Sequence, residues 1–427
     1  MISGSEDSRR LLLACFSAAV EAAQPRTFLQ GTGIVSRLEA LPPDRQVHVL
    51  GAGKSSAAMA AELERLWPRR APPAGLVVTR DGYSVATQAI EVIEAGHPLP
   101  DERSLAAGKR VEAKLQALGE SDYLVMLVSG GGSSLLTYPV EALRLEDLVS
   151  VTATMMKCGA SVDEINIVRK HLTRLFGGKA ALLAPSSHID ALILSDVVGD
   201  DPATIASGPV CGDSSTLADA RNVLARYGVQ ASGPVAEALL NPANETPAPG
   251  DIAFSKVRTS LVRSDCWMAP VGALLQSCGY EVEIVDRSAT GDARELAVRH
   301  AALIRKARGE AKRLAMISGG EATVTVHGDG IGGPNSEYAL QLAMALDGEA
   351  GFCAIACDTD GSDGTSAIAG AIVDGTTVQR GLAEGLDAAA ALGRSDSATF
   401  FSALGDAVNP GPTMTNVNDL RIALVEP

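Results

Sequence analysis

The chain has 427 residues, of which 46% are hydrophobic and 20% charged, a composition that supports two folded cores and argues against disorder. Its formal net charge of −15 disfavours nucleic acid as a partner, because neutralising phosphates requires a basic surface. No stretch approaches the roughly 18 consecutive apolar residues of a membrane span, and the seven cysteines form no CxxC pair. We therefore predict a cytoplasmic protein with reduced thiols and no nucleic-acid or membrane partner.

The first part of the chain predicts a helix that ends before Pro25, rather than a signal peptide. After it, short apolar runs that end in glycine, serine or aspartate and lead into helical patterns recur five times, as in β–α units. Such uniformly apolar strands predict parallel sheets covered on both faces, with ligands beyond the carboxyl ends of the strands. The five predicted strands are 46–50, 123–128, 191–194, 314–317 and 352–357.

The weakest segment for packing is 241–251, which contains three prolines and few apolar residues. We place a domain boundary there, which divides the chain into domains 1–250 and 251–427. After the boundary the pattern predicts a helix, a strand and a long helix, at 271–278, 281–285 and 294–311. The predicted fold class is therefore α/β, with two domains in which helices cover both faces of a sheet.

The first glycine-rich turn is GAGKSS at 51–56. It lacks the glycine that a P-loop carries three residues upstream, and it is a poor dinucleotide fingerprint because the nearest acidic residue, Asp81, comes late. A glycine turn at the start of a helix, with a lysine, still suits an anion. We predict that Gly51 and Gly53 let the backbone approach a phosphate and that Lys54 contacts it; an ordinary surface lysine is the alternative.

The second glycine-rich turn, SGGGSS, is the stronger phosphate cradle. Three successive glycines after a buried strand let the backbone approach a ligand closely, and the flanking hydroxyls can donate to its oxygens. A tight structural turn is the alternative. The predicted phosphate-binding residues of this turn are Ser129, Gly130, Gly131, Gly132, Ser133 and Ser134.

A cluster of cations lies within one predicted helical turn, at Arg169, Lys170 and His171. In an acidic protein such a cluster is the local basic patch that an anionic substrate needs, so we predict that these three residues bind substrate. The alternative is a solvated helix face.

Two acidic clusters follow predicted strands. Asp196 comes directly after one strand, where a carboxylate can hold a metal ion or accept the proton of a substrate hydroxyl. Asp358, Asp360 and Asp363 form the second cluster, which lacks the spacing of an EF-hand. We predict Asp196 as catalytic, and Asp196 and Asp358 as metal ligands; capping and turn formation are the alternatives.

Taken together and in this order, the motifs resemble the glycerate 2-kinase family, whose two parts are called DUF4147 and MOFRL. The resemblance covers nearly the whole chain. It is carried by GAGKSS (51–56), Gly96-His97-Pro98, SGGGSS (129–134), EINIVRKHL (164–172), SDVVGDD and IASGP (195–209), SGGEATVTV (318–326), GGPNSEYAL (332–340) and DTDGSDG (358–364).

The resemblance implies a Rossmann-like N-terminal domain with a largely parallel sheet, a smaller C-terminal α/β domain and an active-site cleft between them. It implies transfer of the γ-phosphoryl group of ATP to the C2 hydroxyl of D-glycerate or a related small anionic hydroxy acid, with Mg²⁺, by a monomer or homodimer. Lys54 matches the functional lysine of the family. Asp196, Glu321 and Asn335 match polar positions of the cleft, and we predict that Glu321 and Asn335 contact the nucleotide.

Two positions depart from the family pattern. Pro334 stands where the family carries an arginine important for phosphate transfer, and Phe176 replaces a second basic residue. Losing a guanidinium from a phosphoryl-transfer site costs orders of magnitude in rate unless another cation replaces it. Either Arg169, Lys170 or Lys179 fills that role, or the substrate differs from glycerate. Two alternatives to the kinase stay open, an NAD(P)-dependent hydroxypyruvate reductase and a non-catalytic metabolite-binding protein.

Overall fold

The structure is a computed structural model, and it describes residues 3–141, 143–184, 188–310 and 312–427. They form two compact units. The N-terminal unit comprises Pro25–Asp196 and Asp200–Val262; the C-terminal unit comprises the first helix, α1 (Ser3–Ala22), with Val197–Gly199 and Arg263–Pro427. The predicted first helix and the α/β class with two domains are confirmed, and the boundary near residue 250 stays a prediction. None of the helices in the described residues has the length and apolar character that a membrane crossing requires.

The N-terminal unit is built on a six-stranded sheet in which every neighbouring pair is parallel, in the order β3-β2-β1-β4-β5-β6. All seven residues of β4 are buried, because its apolar side chains are covered on both faces. The strand order is that of the Rossmann fold, so the predicted parallel sheet is confirmed. The strands are β1 (Val47–Ala52), β2 (Ala74–Arg80), β3 (Ile90–Ala95), β4 (Tyr123–Ser129), β5 (His188–Leu194) and β6 (Val257–Val262).

The helices of this unit begin where the sequence supplies a cap. Asp101 accepts from the first backbone N–H groups of α5, and Ser161 and Glu164 form a capping box at α8. Helix α8 packs with three neighbours in an apolar cluster that includes Leu148 and Leu224. The helices are α2 (Pro25–Phe28), α3 (Ile34–Glu39), α4 (Ser56–Arg65), α5 (Glu102–Gln116), α6 (Gly132–Leu135), α7 (Leu145–Lys157), α8 (Val162–Leu172), α9 (Lys179–Leu183), α10 (Leu217–Arg226) and α11 (Gly233–Leu240).

The C-terminal unit has a mixed sheet in the order β11-β10-β9-β12-β8-β7, in which β7 and β8 are parallel and the other pairs are antiparallel. The expectation of a parallel sheet was wrong here. Only 11 residues without a helix separate β9 from β10, which is too short for a parallel crossover. The strands are β7 (Glu281–Asp292), β8 (Leu314–Thr323), β9 (Phe352–Asp358), β10 (Gly370–Asp374), β11 (Ala407–Val408) and β12 (Asp419–Val425).

The core of the C-terminal unit lies between its sheet and two long helices, α13 and α14. The helix predicted over 294–311 ends at Ala307, shortly before Gly309, and residue 311 lies outside the described residues. The helices are α12 (Met268–Ser277), α13 (Ala293–Ala307), α14 (Pro334–Ala345), α15 (Thr377–Ala383), α16 (Ala388–Gly393) and α17 (Ser397–Leu404).

Candidate active site

The two glycine-rich turns of the N-terminal unit lie side by side at the carboxyl edge of its sheet. GAGKSS begins with the last two residues of β1, and SGGGSS begins with the last residue of β4. These strands are the two neighbours at which the strand order reverses. Ligands of doubly wound sheets bind at this switch point. The backbone N–H of Lys54 donates to the Gly130 carbonyl (2.8 Å), and the N–H of Ser55 donates to Ser129 Oγ (3.0 Å). The turns therefore form one continuous surface.

The two turns are tightly packed at Gly53, where φ is +139° and an added Cβ atom would lie 2.2 Å from Ser129 Oγ of the other turn. Only glycine adopts this backbone without a clash. Gly51, the penultimate residue of β1, is buried against Leu127. The hydroxyl of Ser55 is completely buried and has no hydrogen-bond partner among the described residues.

Three chemically active side chains lie against the triple glycine. A Cβ on Gly130 would lie 1.4 Å from Asp196 Oδ2, and a Cβ on Gly131 would lie 2.9 Å from His97 Nε2 and 3.4 Å from Lys54 Cγ. The glycines thus let a carboxylate, an imidazole and a lysine converge on one turn. The sequence analysis did not select His97 as a site residue, although its Gly-His-Pro motif was part of the family resemblance.

The hydroxyls of SGGGSS are held by protein groups. Ser134 Oγ donates to the Gly131 carbonyl (3.1 Å), and Ser133 Oγ lies 2.8 Å from Ser207 Oγ. Because Ser207 Oγ donates to Asn166 Oδ1 (3.1 Å), the hydrogen between the two hydroxyls comes from Ser133. The lone pairs of Ser133 remain as acceptors, so its expected role as a donor to phosphate requires this bond to break.

The loop that carries Ser207 has an unusual backbone. Ala206, Ser207 and Gly208 have φ of +50°, +58° and +57°, three left-handed residues in succession. Such a conformation is costly for a residue with a side chain, and it persists where the surroundings enforce it. Here the loop packs on the glycine turn, since a Cβ on Gly132 would lie 2.7 Å from the Cβ of Ala206. Sequence reasoning missed Asn166 and Ser207, because their partners are distant in the chain.

Of the three cations predicted on α8, Arg169 reaches the glycine turn. Its Nη2 donates to the Ser133 carbonyl over 2.7 Å. Desolvation by burial lowers the pKa of the Arg169 guanidinium to about 10, which leaves it protonated at neutral pH. A positive charge is therefore fixed beside the predicted phosphate cradle.

The other two cations of the cluster make internal contacts. Lys170 is buried and its Nζ lies 3.2 Å from Asp213 Oδ1. Burial opposes ionisation of Asp213, but the charge of Lys170 and hydrogen bonds from Ser215 outweigh it and lower the pKa of that carboxyl. His171 has no exposed surface and contacts Glu245 Oε1 through Nε2 (2.9 Å). The substrate-binding role predicted for Lys170 and His171 stays a prediction, with these contacts against it.

Lys179, a suggested replacement for the family arginine, is held in the same way. Its Nζ donates to three backbone carbonyls at 2.9–3.0 Å, and desolvation by burial lowers its pKa to about 8. These bonds use all three donors of an ammonium group. Lys179 therefore ties α8 to the segment around Asn244.

In the C-terminal unit, the polar motifs meet in a buried network around the start of α14. Asn335 donates through Nδ2 to Asp419 Oδ1 (2.6 Å), and its Oδ1 has no hydrogen-bond partner among the described residues. Asp419 also accepts from the Ala322 N–H (2.9 Å) and contacts Arg421. Glu321, in contrast, is exposed on β8. The predicted nucleotide contacts of Glu321 and Asn335 remain predictions.

The aspartates of DTDGSDG have distinct surroundings. Asp363 is buried and accepts from the N–H groups of Asn335 and Ser336, so it caps α14. Burial raises the pKa of Asp363 to about 6 although these bonds favour the carboxylate. Asp360 accepts from Ser362, and the half-buried Asp358 accepts from the Asp360 N–H (2.8 Å). Capping and turn formation thus account for contacts of all three, and the metal role of Asp358 stays untested.

Comparison with known proteins places the chain in a family. The family described as "Domain of unknown function (DUF4147)" matches residues 11–240, and the MOFRL family matches residues 314–419. A protein of Agrobacterium vitis named as a hydroxypyruvate reductase is 42% identical over 98% of this chain and 94% of that protein. The D-glycerate 2-kinase of Thermotoga maritima is 38% identical over 98% of this chain and 99% of its own length.

A solved structure agrees with these relatives. The crystal structure of a glycerate kinase from Thermotoga maritima matches the present fold with a TM-score of 0.85 at 36% identity, over 98% of this chain and 100% of that one. Both family domains and these nearly full-length similarities lead to the same assignment. The chain belongs to the glycerate 2-kinase family, with a DUF4147 domain followed by a MOFRL domain.

Proposed function

We propose that this protein is an ATP-dependent kinase that phosphorylates the C2 hydroxyl of D-glycerate, or of a closely related small hydroxy acid, to give the 2-phosphate. The observation that carries the proposal is the convergence of Lys54, His97 and Asp196 on the triple glycine. It lies at the switch point of a Rossmann-type sheet, where phosphates bind. The kinase names of two nearly full-length relatives support the same activity.

In the proposed reaction the glycine turns bind the phosphates of ATP through their backbone and position the γ-phosphoryl group. Lys54 and Arg169 offset the negative charge on the transferred group. Asp196 accepts the hydrogen of the substrate hydroxyl and takes up its proton as the oxygen attacks the γ-phosphorus; the bond from that phosphorus to the β–γ bridging oxygen breaks, and ADP leaves. Phosphoryl transfer needs mainly such positioning and charge stabilisation.

The residues present fit Mg²⁺, which binds proteins through one or two carboxylates and completes its shell with water and phosphate oxygens. Asp196 is a suitable oxygen ligand beside the turn. No group of three metal-ligating side chains occurs among the residues that the structure describes, consistent with a metal held largely by its nucleotide. When bound, Mg²⁺ neutralises charge on the β- and γ-phosphates.

The test is an ADP-release assay with D-glycerate and a panel of C3 to C6 hydroxy acids. Lys54→Ala is expected to lower kcat by about 10²–10⁴-fold and Asp196→Asn by a similar factor, because each removes a group that acts in the transition state. Lys109→Gln, which removes an exposed lysine elsewhere in the same unit, is the matched control. If no acid elicits ADP release above background, the kinase proposal fails and a metabolite-binding role takes its place.

A hydroxypyruvate reductase is the second possibility, favoured by the Rossmann strand order and by the name of the Agrobacterium vitis relative. One contact weighs against it. An acidic residue just after β2 usually binds the ribose of NAD, and here Asp81 is in a two-point ion pair with Arg103 (2.6 and 2.8 Å). Oxidation of NADH with hydroxypyruvate in the absence of ATP would establish the reductase.

A further inference from the structure

The hydroxyl of Ser133 ends a chain of side-chain hydrogen bonds that begins on α8. Asn166 Oδ1 accepts from Ser207 Oγ (3.1 Å), and Ser207 Oγ lies 2.8 Å from Ser133 Oγ. A hydroxyl group has one hydrogen to donate and two lone pairs to accept with. Since Ser207 donates its hydrogen to Asn166, Ser133 donates to Ser207. Ser133 Oγ therefore presents lone pairs, and no hydrogen, to a further partner.

The groups of this chain are held in place. Ser207 has no exposed surface, and Asn166 is 7% exposed. The left-handed backbone at Ser207 is fixed from outside, because the N–H groups of Gly177 and Gly178 donate to the carbonyls of Ser207 and Gly208 (2.9 and 2.7 Å). A strained backbone persists where its surroundings enforce it, and it is found most often at functional sites. The acceptor that Ser133 presents therefore has a defined position beside the glycine turn.

An anion is required next to the backbone of the same residue. The bond from Arg169 Nη2 to the Ser133 carbonyl is the only hydrogen bond of this guanidinium among the described residues. Desolvation is the one cause of the lowered pKa of Arg169, so no nearby carboxylate offsets its charge. A desolvated charge without a counter-charge is costly, and an anion bound beside it removes that cost. The transferred phosphoryl group of the proposed reaction is such an anion.

The ligand group that meets Ser133 Oγ must itself carry a hydrogen. Ionised phosphate oxygens have only lone pairs, so placing them against the lone pairs of Ser133 would be repulsive. The hydroxyl groups of the acid can donate. In the proposed reaction the C2 hydroxyl donates to Asp196, so Ser133 needs a second hydroxyl on the same acid.

We infer that the Ser133 hydroxyl binds the acid rather than the nucleotide, by accepting a hydrogen bond from the hydroxyl next to the one that is phosphorylated. Asn166 and Ser207 are positioning residues, because they orient the Ser133 hydroxyl. The inference rests on the proposed kinase function, and it narrows the substrate class to acids with adjacent hydroxyls, such as D-glycerate. D-Lactate, which lacks the 3-hydroxyl, leaves Ser133 without its donor. A site built to hydrogen-bond a substrate hydroxyl discriminates in this way, since its own polar group is otherwise unpaired.

The ratio of the dissociation constants of D-lactate and D-glycerate tests this inference. Both constants are measured from the rise in melting temperature as each acid is titrated into the full-length protein with ADP and Mg²⁺ present. We expect the parent to bind D-glycerate about tenfold more tightly than D-lactate. Ser133→Ala should weaken D-glycerate about tenfold and change D-lactate less than threefold. Ser150→Ala, which removes an exposed hydroxyl of α7, should change neither constant.

A pair of variants at Asn166 tests the positioning role. Asn166→Leu lets Ser207 donate to Ser133 instead, so Ser133 turns its own hydrogen outward and the ratio should fall below threefold. Asn166→Asp still accepts from Ser207. It should keep the tenfold ratio, although its added negative charge weakens the binding of both acids alike.

Melting temperatures without ligand check that each variant is folded, and the Asn166 pair decides the matter if Ser133→Ala is not. Equal binding of the two acids by the parent, no binding of D-glycerate, or an unchanged ratio in Ser133→Ala would overturn the inference. Binding is measured without turnover, so the two proposals can fail separately. A parent that distinguishes the acids but releases no ADP refutes the kinase alone, whereas ADP release with an unchanged ratio in Ser133→Ala refutes this inference alone.

Discussion

Replacing Gly130 by alanine tests whether the position of Asp196 governs the reaction. The new Cβ would lie 1.4 Å from Asp196 Oδ2 and 2.1 Å from its Cγ, whereas ordinary contacts begin near 3.4 Å. The carboxylate must therefore retreat by about 2 Å, or the turn must shift. The φ of Gly130 lies outside the left-handed region, so the substitution adds a clash without backbone strain.

We expect two effects of different size. Overpacking a tight site costs about 1–3 kcal/mol of stability, a loss that a folded domain tolerates at 25 °C. Moving a catalytic group by about 1 Å already costs about 10²-fold in rate, so kcat for D-glycerate should fall by about 10²-fold or more. If the carboxylate retreats and the turn keeps its position, the KM for ATP should change little, because the backbone that binds phosphate is then unaltered.

The assay is steady-state ADP release, measured well below the melting temperature of each variant. Gly233→Ala is the matched control: the same substitution in the same unit, at a residue without left-handed φ and with no atom within 4 Å of the added Cβ. It should leave kcat unchanged. If Gly130→Ala retains kcat within twofold of the parent, Asp196 is not the group that accepts the substrate proton.

Three further outcomes follow from the contacts described. Asp213→Asn leaves the buried Lys170 ammonium without its counter-charge and should lower the free energy of unfolding in urea by about 3–5 kcal/mol. Burial lowers the pKa of His300 to about 4, so the stability that the neutral imidazole contributes is present above pH 6.5 and is lost as the pH falls towards 4. In urea titrations, the free energy of unfolding of His300→Gln should therefore fall less between pH 6.5 and pH 4 than that of the parent, by up to about 3 kcal/mol. Arg169→Lys should lower kcat by about tenfold, because an ammonium group cannot reproduce the bond to the Ser133 carbonyl while it also faces phosphate. Arg169→Met should lower kcat further, because it removes the positive charge as well.

The strands and the turns that follow them could be predicted because each depends on a local pattern. The run 123–128 is almost wholly apolar and is followed by one serine and three glycines, so strand and turn are visible within ten residues. The direction of a strand relative to its neighbours, in contrast, does not depend on a local pattern. Strand β12 is as fully buried as β4, yet it runs antiparallel to both neighbours, and burial alone does not distinguish the two cases.

Contacts between residues that are distant in the chain also could not be predicted from the sequence. The sequence of α8 predicts that three cations lie within one helical turn, but not which face of the helix is covered. The partner of Lys170 lies 43 residues away and that of His171 lies 74 residues away, in segments with no recognisable pattern. A cation cluster in a sequence therefore indicates charge, and its partners decide whether that charge meets a ligand or the protein itself.

The same distinction, between a charge and the partner it meets, applies to the arginine that the family resemblance predicts at the position of Pro334. Proline is compatible with its position because it begins α14, where a backbone N–H has no partner within the helix. Among the three cations suggested as replacements, Lys170 is paired with Asp213 and Lys179 donates to three carbonyls. Arg169 uses one nitrogen on the Ser133 carbonyl of the glycine turn, and a guanidinium has further donors. Of the three cations, Arg169 is therefore the one whose contact places its charge beside the glycine turn, and the rate of Arg169→Met measures how much catalysis depends on it.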